Sequence, residues 1–96
     1  MIVFDYSKVM GQVRELRRIA DDMKMASNRK LRAAINSVEG SWNGETGQMF
    51  LKNCSLIEAR VNKEVSMIRE LADKYEDSAR KIEKTEKTAT AVAANK

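Results

Sequence analysis

The sequence predicts an all-α protein, an antiparallel hairpin of two long helices. Three observations predict it. The chain of 96 residues has no proline and only 5% aromatic residues, whereas a β-sandwich or barrel needs aromatic and β-branched strands broken by turn residues. Apolar side chains recur at helical spacing on both sides of the middle. Three of the four glycines, Gly40, Gly44 and Gly47, crowd into one central stretch, Gly-Ser-Trp-Asn-Gly-Glu-Thr-Gly. A chain of this length has room for one domain.

The first helix is predicted over about residues 6–39. Asp5 suits its N-cap, and Phe4 with Val9 occupy the N′ and N4 positions of a hydrophobic staple. A seam then runs through Val9, Val13, Leu16, Ala20, Met23, Ser27, Leu31, Ile35, Val38 and Trp42, at an average step of about 3.7 residues. Gly40 suits the C′ position, where a helix commonly ends. A turn follows over residues 40–46, with Asn43-Gly44 as its strongest signal because both residues tolerate positive φ.

The second helix is predicted over about 47–86. Its seam is Phe50, Cys54, Ile57, Val61, Val65, Ile68, Ala72, Tyr75, Ala79 and Ile82, at about 3.6 residues per step. Acid-before-base pairs at Glu70/Lys74, Glu76/Arg80, Asp77/Lys81 and Glu83/Lys87 support its outer face by a few tenths of a kcal/mol each. Cys54 and Tyr75 read as core residues of the seam. Past Glu86 the chain becomes rich in alanine and threonine, with Val92 its one long apolar side chain, so residues 87–96 are predicted to form a flexible tail.

A hairpin buries one seam, yet other apolar groups flank it. Met10, Ile19 and Met25 flank the first seam; Met49, Leu56, Met67 and Leu71 flank the second. An uncovered stripe of this kind marks an interface, and small chains complete a thin core by oligomerising. The expected assembly is a dimer forming a four-helix bundle, with these seven residues at the interface.

The chemistry excluded is broad. With no histidine and one cysteine, a Ser-His-Asp triad, a Cys-His pair, a zinc cluster and an intrachain disulfide are all ruled out. No enzyme activity, metal or cofactor is expected. No apolar run approaches a membrane span, so stable membrane insertion is not expected. The first residues lack a basic n-region and meet Asp5 early, unlike a secretory signal peptide.

Trp42-Asn43-Gly44 sits at the hairpin corner, between helices of nearly equal length. In this layout, over about residues 5–88, the chain resembles the W-x-G family of small helical hairpins, which includes the early secreted antigenic target proteins. The resemblance implies virulence-associated export by a type VII secretion system without a cleaved signal. The chain would be cytoplasmic before export and extracellular afterwards. It implies, as partners, a second W-x-G-type hairpin (homodimer or heterodimer) and an FtsK/SpoIIIE-like secretion ATPase. Family members also carry a tail signal, a tyrosine followed four residues later by an acid. Here Ile82 stands where the tyrosine would be and Glu86 supplies the acid, so the signal is degenerate. The chain is then either carried by a partner with an intact signal or recognised through Ile82 and Glu86 themselves. Trp42 is either a plug closing the hairpin end or part of a recognition surface with the tail, and Gly44 serves the turn.

The charge of +4 admits rival readings. Residues 8–32 hold eight basic and three acidic groups, among them Arg14, Arg17, Arg18, Arg29, Lys30 and Arg32. A basic helical hairpin that binds nucleic acid is one reading. Glu15, Asp21 and Asp22 interrupt the run, and no aromatic is placed for base stacking. A solvated face, or one meeting an acidic partner, therefore ranks first, and no nucleic acid is expected. A cytoplasmic adaptor escorting a larger secreted toxin is the closer alternative, since it accommodates the degenerate tail.

Overall fold

The computed structural model describes residues 4–42 and 44–94. Asp5 is extended and its carboxylate accepts a hydrogen bond from the Lys8 backbone N–H at 3.0 Å. That contact satisfies one of the free donors at a helix start. α1 then runs over Tyr6–Ala26. It passes without a break through one π-helical turn, Ser27–Leu31, into α2, Arg32–Ser41. These three pieces form the first rod. The second rod is α3, Glu45–Ala94, and no strand occurs among the described residues. The hairpin measures 79 × 19 × 15 Å, and a 50-residue helix at about 1.5 Å per residue accounts for its length.

Three boundaries differ from the expectation. Gly40 does not end the first rod: α2 continues to Ser41, and Trp42 caps it in an extended conformation with its N–H on the Val38 carbonyl at 2.8 Å. The left-handed residue is Gly44 instead, at φ 98°. α3 begins at Glu45, two residues earlier than expected. It also continues to Ala94, so the residues assigned to a flexible tail from 87 are helical as far as the described chain runs. Nothing there stops a helix: alanine favours it. The hydroxyls of Thr85, Thr88 and Thr90 each donate to the carbonyl four residues back, at 2.9 Å. Asn43, in the expected turn, and residues 95–96, in the expected tail, lie outside the described residues.

The core is thin. Its buried residues are Val13, Ala20, Ser27 and Ile35 on the first rod and Gly47, Cys54, Val65, Ala72 and Ala79 on α3. All but Ile35 are valine or smaller. Small residues at seven-residue intervals let two helices approach closely along a narrow seam. The register is readable from the cross-rod ion pairs Arg17–Asp73, Asp21–Arg69 and Arg32–Glu58. In it Val13 lies level with Ala79, Ala20 with Ala72 and Ser27 with Val65. The larger seam residues are not all inside: Phe50, Ile57, Tyr75 and Ile82, expected in the seam, are exposed. The expected seam is wider than one hairpin can cover.

The π turn has a sequence cause. Met23, Ser27, Leu31 and Ile35 follow one another at steps of four, and repeated fours overshoot an α-helical line. One wider turn absorbs the extra residue and keeps Ile35, not Ala34, on the buried side. Ser27 is 6% exposed, and its Oγ has no hydrogen-bond partner.

Three glycines at the corner play different parts. A Cβ at Gly47 would lie 3.0 Å from the Trp42 carbonyl oxygen and 3.2 Å from its Cβ, whereas a Cβ at Gly40 would meet nothing within 4 Å. Gly40→Ala is therefore expected to raise stability by about 0.5–1 kcal/mol. Gly47→Ala is expected to lower it by about 1–3 kcal/mol through overpacking. Equal shifts in urea midpoint for the two would contradict this corner geometry. Ser27→Ala, which removes a buried unpaired hydroxyl, is expected to raise the midpoint by an amount equivalent to about 1 kcal/mol.

Candidate interaction surface

Helical spacing gives each rod two flanks beside the buried line, and the two flanks of the hairpin are unlike. On one, Arg17 and Lys24 are seven residues apart and face α3. Arg17 donates to Asp73 at 2.9 Å and to Glu76 at 2.8 Å, and Lys24 donates to the Asn62 side-chain oxygen at 2.7 Å. Arg69 returns a bond to Asp21 at 3.0 Å, and Arg32 reaches both oxygens of Glu58 at 3.0 Å. This flank is closed by charge. Arg80 adds a second guanidinium to Glu76 at 2.9 Å. Hydrogen bonding from Arg17, and next from Arg80, holds the Glu76 carboxyl below its ordinary range. Arg18 does the same to Glu15 within α1.

The opposite flank is apolar. The first rod contributes Leu16, Ile19 and Met23; α3 contributes Ile57, Val61, Ile68, Leu71, Tyr75 and Ile82. Ile57 is 52% and Tyr75 51% exposed, so large side chains border the narrow seam without being covered by it. Among the described residues no cross-rod ion pair lies on this side. At the π turn the flank holds an open groove of about 500 Å³, lined by Met23, Ala26, Ser27, Lys30, Leu31, Ala34, Ile57 and Val61.

The interface candidates divide between these surfaces. Ile19 lies on the apolar flank, and Met67 and Leu71 border it in a shallow depression with Ile68. Met25 lies on the charged flank, among Asp21, Lys24 and Arg69. Met10 precedes Arg17 by seven residues and belongs to the same charged side. Met49 and Leu56 are also seven apart and are exposed on α3. One surface therefore gathers Ile19, Met67 and Leu71, whereas Met25 lies among charged residues. Its other members, Ile57, Tyr75 and Ile82, carry a sequence signal of their own, since they alternate with small buried residues at steps of three and four.

At the corner, Trp42 is 52% exposed. Its ring meets Phe50 edge-on at 5.7 Å with the planes at 63°. It packs against Phe50 of α3 and leaves about half of its surface open. Gly44 holds the left-handed turn beside it. Ile82 and Glu86 lie at the other end of the rod, one turn apart. Glu86 borders a depression with Phe4, Tyr6, Glu83, Lys87 and Thr90, where the start of α1 meets α3. Within one chain, tip and tail are therefore far apart. Cys54 is buried and unpaired, packing in the seam. Among the described residues no group of His, Cys, Asp or Glu is arranged to hold a metal, and no helix is long and apolar enough to cross a membrane.

The lowered Glu76 carboxyl links the charged flank to pH. Its folded-state pKa lies below the ordinary 4.5, so its contribution is fully present above that value and is lost as pH falls below it. Stability is expected to drop as the solution is acidified through this range. Glu76→Gln should flatten the drop, and an unchanged acid limb in that variant would remove Glu76 from the account. Comparison with known proteins finds no matching family model, no matching curated protein and no matching solved structure.

Proposed function

We propose that the chain works by protein–protein binding, as a small substrate of a type VII secretion system or as the helical partner of one. The observation that carries this reading is the uncovered apolar flank. A hairpin whose buried seam is built mostly of alanine, valine and other small residues completes its core only when a second helical protein covers Ile19, Ile57, Leu71 and Tyr75. Pairing with a second W-x-G-type hairpin turns two such rods into a four-helix bundle, the arrangement in which helices share one apolar centre.

Further support comes from the corner and the tail. The half-exposed Trp42 ring, on an extended residue that caps the first rod, presents an aromatic surface of the kind that anchors interfaces. Ile82 and Glu86 offer an apolar knob and a charge one helical turn apart, suited to a receptor groove. In an antiparallel dimer the tip of one subunit comes beside the tail of the other, which joins these elements into one surface for the secretion ATPase. The replacement of tyrosine by Ile82 favours a second reading, an adaptor that stays in the cytoplasm while a larger toxin is exported.

Deleting the FtsK/SpoIIIE-like ATPase in the native host is expected to move the chain from culture supernatant to lysate. A supernatant level unaffected by the deletion would overturn the export reading, and a chain confined to the lysate in both strains selects the adaptor. Trp42→Ala is expected to cost about 1–2 kcal/mol in the isolated chain, below the 3–5 of a fully buried ring, and to reduce export several-fold. Glu86→Ala should leave the melting curve unchanged while lowering export. Full export of both variants would strip the tip and tail of their role.

A further inference from the structure

We infer that the π turn is a hinge, about which α2 opens from α3 as a unit while α1 stays paired. The inference depends neither on secretion nor on what covers the apolar flank. It starts from the residues of α2, Arg-Ala-Ala-Ile-Asn-Ser-Val-Glu-Gly-Ser. Asn36, Ser37, Val38, Gly40 and Ser41 are weak helix formers, and a helix of ten residues does not hold on its own in water. α2 is therefore helical only while packing keeps it so.

That packing is sparse. In α2 Ile35 is buried and Val38 half-buried, and the other residues are exposed. α1 differs: Val13 and Ala20 are fully buried, with Val9, Leu16 and Met23 half-buried around them. The ion pairs share this asymmetry. Arg17 with Asp73 and Glu76, and Asp21 with Arg69, clasp α1 to α3. Arg32–Glu58 alone holds α2 among the described residues. Exposed pairs contribute little each, so burial decides, and it favours α1. The junction is also the weak point of the rod. The Ser27 Oγ is buried there without a partner, so water that reaches it in the open form offsets part of the cost of opening. Opening uncovers Ile35 and Cys54, the latter 4% exposed when closed, and adds their surface to that of Trp42 and Phe50. A partner that binds the open form better than the closed one holds it open by that difference in affinity.

Native-state hydrogen exchange of the full chain across low urea concentrations tests the hinge. The amides of α2 are expected to be protected about tenfold less, or lower still, than those of residues 13–26. Their urea dependence should be shallow, because little surface opens, whereas residues 13–26 follow the steep dependence of global unfolding. Modification of the Cys54 thiol should be slowed, relative to a short cysteine peptide, by the same factor as the α2 amides. Val13→Ala, on the far side of the turn, should speed exchange over 13–26 several-fold and leave α2 and Cys54 unchanged. The urea series needs no substitution, so it decides even where that variant does not fold. Equal protection and equal urea slopes in α1 and α2 would overturn the inference, as would a Val13→Ala chain in which both segments speed up alike.

Discussion

Two helices can lie this close over such a length only because the residues between them are small. Ala20 faces the level of Ala72, Val13 that of Ala79, and Ser27 that of Val65, so over this stretch the rods meet along a narrow seam of small side chains. This one constraint explains the rest. Side chains too large for the seam are pushed to its edges. On one edge the residues are charged, and they clasp the rods together through Arg17, Arg69 and Arg32. On the other they are apolar and remain uncovered. Exposed ion pairs contribute little each, so the clasp sets register and leaves most of the stabilisation to burial. Burial within one chain is modest, and the largest fully buried side chain is Val13.

The corner and the π turn both follow from fitting this seam. Gly47 is needed because the chain leaving α2 passes within contact distance of α3's first turn, and Gly44 because that passage reverses direction through a left-handed residue. The π turn keeps the buried line straight where the apolar spacing lengthens to repeated fours. It also lies beside an open apolar groove and leaves the Ser27 hydroxyl buried without a partner.

Much of this was legible in the sequence, and the parts that were not have physical reasons. Helical periodicity on both sides of a glycine cluster predicts the two rods, and Asp5 predicts where the first begins. Periodicity alone does not separate residues that fill a seam from residues that border it. Ala72 and Tyr75 share one apolar stripe, and only side-chain volume assigns Ala72 to the inside and Tyr75 to the edge. Periodicity likewise does not separate Met25, which lies among Asp21, Lys24 and Arg69, from Ile19 on the apolar flank. Gly40 resembles a helix stop by residue type, yet backbone reversal falls on Gly44, where the following glycine-to-helix contact demands it. The continuing helix beyond Glu86 follows from alanine content, with the threonine hydroxyls satisfied on their own helix's carbonyls.

The central claim is that the flank bearing Leu71 is covered in the cell while the flank bearing Met25 is open. Its most direct measurement is maleimide labelling, in intact native cells, of chains carrying Leu71→Cys or Met25→Cys, with buried Cys54 as the internal reference. The account predicts slow modification at position 71 and fast modification at 25, with both sites fast once the purified chain is diluted alone. Equally fast modification of the two sites in cells would contradict it.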